Sequence, residues 1–261
     1  VETVPVDDRG LLLGDGLFET LLVEAGRFDA FEAHADRMIR GCAGLGLPAP
    51  EPAMLLAASE DALTASGLRD GRAAVRLTWT AGSAGRGLER PDRIQPRLLA
   101  HAAPAPRPAV PAALAIVAIR RNASSPLSRL KTLAYLDNVL ARRAALIAGA
   151  DEALMLNTDG EIAGGAAANL FWIAGGRLFT PALACGVLDG ILRARVLAAA
   201  SRLGIETIEA RAGAEALATA EAIFLTNSLI GVRAVSTVDG RAVGAHPLVE
   251  RLDQLVQAPV P

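Results

Sequence analysis

Of the 26 Lys and Arg side chains in this 261-residue chain, one is a lysine, Lys131. Arginine supplies positive charge but is not deprotonated in proteins, so it serves neither as a nucleophile nor as a Schiff-base partner. A single lysine in an arginine-biased chain therefore points to amine chemistry, with compositional drift as the alternative. Few other chemistries have candidates. No Gly-Lys pair exists to build a Walker loop, and no Gly-x-Ser-x-Gly elbow is present. Gly82-Ser-Ala-Gly-Arg-Gly87 is rich in glycine but opens no helix, so as a nucleotide cradle it is weak. Two cysteines, Cys42 and Cys185, and three scattered histidines make neither a disulfide framework nor a metal site. Anion binding has three candidates: Arg37, the segment Gly190-Ile191-Leu192 at the start of a helix, and Thr226-Asn227-Ser228 at a strand end.

These residues need elements to place them. Val4 to Val23 reads as a short extended piece, a turn at Gly14-Asp15-Gly16 and a buried strand from Leu17. Apolar Phe31, Met38, Cys42 and Leu45 recur at helical spacing up to Gly46, and a second helix follows to Ser66. Strands are predicted at 72–81 and 97–103. Lys131 reads as opening a helix that runs to Ile147, which sets its amine near the positive end of the helix dipole and favours the uncharged form. Strands at 114–119, 152–156 and 162–173, a helix at 190–203, a short helix at 214–219 and a strand at 223–226 complete the chain. Four prolines between Pro104 and Pro111 favour a stiff extended connection. The expectation is thus two α+β domains, 1–104 and 112–261, joined by a linker at 105–111, with the lysine in the second.

Composition narrows the partners. A net charge of −2 and an aromatic content of 3% give no footprint for nucleic acid. The apolar window from Ala109 to Ile119 is too short to span a bilayer, and the acidic N-terminus is unlike a signal peptide. The expectations are a small-molecule substrate, no nucleic acid, no membrane, no metal and a reducing, cytoplasmic location.

Taken in order, several stretches resemble the class IV aminotransferases, the fold-type IV pyridoxal-phosphate enzymes. They are Asp8-Arg9-Gly10, Gly14-Asp-Gly-Leu-Phe-Glu-Thr20, His34-Ala-Asp-Arg37, Lys131-Thr-Leu-Ala-Tyr-Leu-Asp-Asn-Val-Leu-Ala141, Ala150-Asp-Glu-Ala-Leu154, Ala168-Asn-Leu-Phe171, Gly186-Val-Leu-Asp-Gly-Ile191 and Leu225-Thr-Asn-Ser228. The resemblance covers about Asp8 to Val243 and implies a two-domain fold like that of D-amino-acid aminotransferase, a homodimer, and pyridoxal 5′-phosphate as cofactor. It implies that Lys131 is the cofactor lysine, that Arg37 meets the phosphate, and that Gly190, Ile191, Leu192, Asn227 and Ser228 line the phosphate side. Asn169 and position 164 fall on the cofactor strand, Thr20 supplies a hydroxyl over the cofactor, and Phe18 lies on the substrate side. The loop around Arg86 and the run Ala166-Ala-Ala-Asn-Leu-Phe-Trp172 resemble the 4-amino-4-deoxychorismate lyases within the group, with Arg86 holding a substrate carboxylate.

One position departs from the pattern. The family carries a glutamate five residues before the asparagine, facing the pyridine nitrogen, and here that position is Gly164. Glu161, at an odd offset along a regular strand, is expected on the other face. The reading is therefore a folate-pathway lyase that converts 4-amino-4-deoxychorismate to 4-aminobenzoate and pyruvate. The alternatives are an aminotransferase for D- or branched-chain amino acids or amines, and a cofactor-binding protein with little catalysis. Tyr135 is expected to pack, Cys185 to be a small buried residue, and His34 to lie at a helix surface or in a structural contact.

Overall fold

The computed structural model describes residues 3–85 and 87–257. Arg86 therefore lies outside the described residues. The chain divides into two compact units, one of Val1–Pro106 with Leu130–Ala134, the other of Arg107–Arg129 with Tyr135–Pro261. The division at Pro106 falls inside the segment expected as a linker. The lysine segment, however, belongs to the first unit and not to the second.

The first unit opens with α1 (Arg9–Leu13), where the sequence suggested extended chain. Asp8 starts this helix by accepting a hydrogen bond from the Gly10 amide at 2.8 Å. Strands β1 (Gly16–Glu24) and β2 (Arg27–Phe28), helices α2 (Phe31–Leu45) and α3 (Pro52–Ser66), and strands β3 (Arg72–Thr80) and β4 (Arg97–Pro104) follow. The strands form an antiparallel sheet in the order β2-β1-β3-β4. Alternate residues of β1, Leu17, Leu21 and Val23, pack with Met38 and Cys42 of α2 and Leu55 and Leu63 of α3.

Because β2 pairs only with Val23 and Glu24, it leaves the start of β1 open on that edge. The lysine segment fills it: the Phe18 amide donates to the Lys131 carbonyl at 2.9 Å, and the Leu133 amide donates to the Gly16 carbonyl at 3.0 Å. Lys131 is thus extended, strand-like chain. The helix expected from Lys131 starts only at Leu136, so a helix dipole does not act on the amine at its first turn.

The second unit contains β5 (Ala112–Ile116), α4 (Leu136–Ile147), β6 (Glu152–Leu156), β7 (Ile162–Gly165), β8 (Asn169–Ala174), β9 (Arg177–Pro181), α5 (Ile191–Arg202), β10 (Thr207–Ala210), β11 (Ala222–Asn227), β12 (Gly231–Val238), β13 (Arg241–Ala242) and α6 (Pro247–Gln257). The sheet order is β10-β9-β8-β11-β12-β5-β6-β7, with β13 on β12. Phe171 and Ile173 of β8 pack under α5 and α6, while Leu170 and Trp172 face the opposite layer. Burial on both faces explains why this strand reads as an unbroken apolar run. The single strand expected over 162–173 is two, because a turn closed by the Gly165 amide on the Ala168 carbonyl (2.8 Å) separates β7 from β8. Residues Ala214–Thr219 form a 3-10 helix. No helix among the described residues is long and apolar enough to cross a membrane.

Candidate active site

In the first unit, β1 carries different chemistry on its two faces. Side chains alternate along a strand, so Phe18 and Thr20 share one face and Leu17, Glu19 and Leu21 the other. On the first face, the Lys131 Nζ stands 4.2 Å from the centre of the Phe18 ring. The Arg76 guanidinium lies 3.8 Å from the same ring. Phe18 is buried, and the half-buried Thr20 sits opposite Arg76 in the β1–β3 register. The amine, an aromatic platform, a guanidinium and a hydroxyl thus share this face.

On the other face, Glu19 is a charged residue set among Leu17, Leu21 and Val23. Its carboxylate is 1% exposed and meets two partners from α2. Arg37 donates through Nε to Oε1 at 2.7 Å and through Nη2 to Oε2 at 2.6 Å, a two-point contact between planar groups. His34 Nδ1 lies 2.7 Å from Oε2. Burial would raise the Glu19 pKa, but hydrogen bonds from Arg37 and His34, with their charges, hold it down at about 2. His34 is 2% exposed, so of its two expected places the surface is ruled out and the structural contact is found. Glu19 and His34 were not singled out in the sequence as site residues. Two signals mark them: a carboxylate at a core-facing strand position, and His34 and Arg37 three apart on one helix face.

The loop after β3 is tied to the start of the chain. Arg9, buried, donates through Nη1 to the carbonyls of Gly87 and Glu89 and through Nη2 to that of Leu88, at 2.9 to 3.3 Å. Its Nε meets Asp15 at 2.8 Å, and Asp15 also pairs with Arg90 at 2.5 Å. Burial would raise the Asp15 pKa; the two guanidinium groups, Arg90 foremost, lower it instead.

In the second unit, Asn169 begins β8 opposite Thr226 of β11. Its Nδ2 donates to the Leu188 carbonyl at 2.9 Å, which brings it to the start of α5. A β-carbon on Gly190 would collide with the Asn169 Oδ1 where that side chain now lies, so strand and helix approach closely here. Gly190 is the N-cap of α5 and no side chain caps it, leaving the first helical N–H groups, at Ile191 and Leu192, without side-chain acceptors. The Thr226 Oγ1 is buried with no hydrogen-bond partner. Asn227 donates to the Ala167 carbonyl at 2.9 Å and accepts from the Leu229 and Ile230 amides, which fixes the turn containing Ser228. An uncapped helix start and an orphaned buried hydroxyl fit an anionic group such as a phosphate.

Gly164 lies in β7 with φ +111°. Glu161 is committed elsewhere, accepting from Asn157 at 2.8 Å and from Arg211 at 2.7 Å.

A family model described as amino-transferase class IV matches residues 16–238. Aminodeoxychorismate lyase of Bacillus subtilis is 30% identical over 228 residues, covering 86% of this chain and 78% of that protein. Among solved structures, a Legionella pneumophila protein provisionally identified as a 4-amino-4-deoxychorismate lyase superposes with a TM-score of 0.92 at 29% identity, covering 98% of this chain and 95% of its own. The branched-chain amino acid aminotransferase of Escherichia coli superposes with a TM-score of 0.89 at 25% identity, covering 97% and 88%.

Proposed function

Because the chain belongs to the class IV amino-transferase family and is a pyridoxal-phosphate-dependent enzyme of fold type IV, we propose that it converts 4-amino-4-deoxychorismate to 4-aminobenzoate and pyruvate. The observation that carries this reading is the near full-length likeness to lyases, joined to the lyase-like loop from Gly82 to Gly87.

When bound, the cofactor supplies an electron sink for negative charge at the substrate carbon that carries the amine. Lys131 would be its covalent anchor, and the free Nζ of the same residue would take the proton from that carbon. The same nitrogen returns the proton to the enolpyruvyl group as it departs, so pyruvate forms without added water or a keto acid. Arg37 of the first unit, and the Ile191 and Leu192 amides with Asn227 and Ser228 of the second, are the groups that would bind a phosphate, and Gly190 would keep the helix start open for it. Asn169 props the cofactor strand against that helix. Phe18 supports the lysine, Thr20 places a hydroxyl on the same side, and Arg86 takes a substrate carboxylate with its guanidinium fork.

The working form is proposed to be a homodimer in the cytoplasm. Exposed Leu136, Val139, Leu140 and Ile147 on α4, and Leu11 and Leu12 on α1, support self-association, since large apolar side chains gathered on one helix face favour burial. Sedimentation as a monomer at micromolar concentration would remove the dimer reading.

The deciding experiment is pyruvate release from 4-amino-4-deoxychorismate with no keto acid present. Acceptor-dependent amino transfer without that release would leave the aminotransferase reading, which the likeness to the Escherichia coli enzyme supports. Gly164 supports a third reading, cofactor binding with little turnover, because this residue provides no carboxylate for the ring nitrogen.

A further inference from the structure

The cluster of Glu19, His34 and Arg37 does more than fill a core. Burying charged groups is costly before pairing, and apolar residues of similar volume commonly serve stability as well or better. Here a carboxylate, 1% exposed, stands in a strand face that is otherwise leucine and valine, and it engages a guanidinium at two points. The strand supplies rigidity, since β1 pairs with β3 along its whole length from Gly16 to Glu24. A long arginine side chain on a helix has many rotamers, and a fixed carboxylate selects one. His34 bonds the same oxygen that receives Arg37 Nη2, so the carboxylate plane is itself held from a second direction.

We propose that Glu19 is a positioning residue for anion binding by Arg37, with His34 holding the Glu19 carboxylate in plane. This deepens the reading above, since it rests on Arg37 meeting the cofactor phosphate. Glu19 stays ionised through the neutral range because the hydrogen bonds from Arg37 and His34 outweigh its burial. An ionised carboxylate only accepts, so the His34 ring carries its proton on Nδ1 and donates.

The test compares binding of pyridoxal 5′-phosphate and of pyridoxal, which lacks the phosphate, to the full-length apoprotein by absorbance titration. Wild type is expected to favour the phosphate ester strongly, and Arg37→Gln to lose much of that preference. Glu19→Gln keeps size and shape but loses the charge, and is expected to weaken the phosphate ester by roughly ten- to hundredfold, the cost of a charged hydrogen bond, while leaving pyridoxal unchanged. His34→Gln retains a donor and is expected to show a smaller loss with the same selectivity, whereas His34→Leu approaches the Glu19→Gln value. An unchanged preference in Glu19→Gln, or equal weakening of both ligands, overturns the proposal and leaves the Arg37 assignment standing. A wild type that does not discriminate overturns that assignment itself. If Glu19→Gln fails to fold, the His34 pair decides by the same ratio: loss of the preference supports the proposal, and equal loss of both ligands refutes it.

Discussion

A β-carbon placed on Gly164 would stand 3.0 Å from the carbonyl oxygen of Ala168, on a backbone whose φ is +111°. Glycine here is a requirement of the chain path as well as the absence of a carboxylate. Any side chain at 164 must strain the backbone and push against the turn that joins β7 to β8.

Gly164→Glu is therefore expected to destabilise the protein by about 1–3 kcal/mol, the usual cost of such backbone strain. It is not expected to raise turnover. Thermal melting paired with the pyruvate assay checks both statements. A stable variant with faster turnover would show that the turn adjusts and that the missing carboxylate limits the enzyme.

Replacing Lys131 is expected to abolish covalent retention of the cofactor. Lys131→Arg keeps the positive charge but cannot form the bond, so rate loss is expected to be at least ~100-fold, the lower end for removing a positioned acid–base group. Borohydride reduction of the wild type followed by mass spectrometry is expected to place the cofactor on this residue, the chain's one lysine. A label on any other peptide rejects the assignment.

Acid stability follows from Glu19. Its pKa falls from the ordinary 4.5 to about 2 on folding, so the folded state prefers the ionised form. The contribution is complete above the unfolded value and is lost as pH drops through the 4.5 to 2 window, up to roughly 3 kcal/mol for one such carboxylate. Urea unfolding at pH 6 and pH 3 is expected to show the larger part of that loss, and Glu19→Gln to flatten the difference. An equally steep acid dependence in the variant would assign it to other carboxylates.

Arg9 gives a separate prediction about the loop after β3. It donates to three successive carbonyls, those of Gly87, Leu88 and Glu89, and few other side chains could reach all three. Arg9→Met is expected to cost about 1–3 kcal/mol, because the loop loses hydrogen bonds from a buried charged donor. Proteolytic cleavage within 85–90 should quicken in the same variant. Unchanged cleavage would mean that the Asp15–Arg90 pair alone holds the loop.

Both cysteines are buried, and burial pushes each thiol up to about 11. The nucleophile is the thiolate, so neither is expected to react with a thiol reagent in the native state at pH 8. Two thiols are expected after denaturation. Fast labelling of the native protein would show local opening around α2 or the segment before α5.

The sequence by itself determined which residue types exist and their order. A single lysine, the arginine three residues after His34, and the asparagine before Leu170-Phe171 could be read directly, and so could the helix from Phe31 and the buried strand from Leu17, because periodicity and end signals are local. Tertiary structure decided what local pattern cannot express. Lys131 is extended because the short β2 leaves an edge of β1 open, although the residues from Lys131 onward have good helix propensity. Glu19, read in the sequence as one letter of a motif, becomes the partner of Arg37 because a strand face and a helix face meet across the core of the first unit. Gly164 is the sharpest case: its lack of a carboxylate is visible in the sequence, while the positive φ that keeps one out is set only by the turn between β7 and β8.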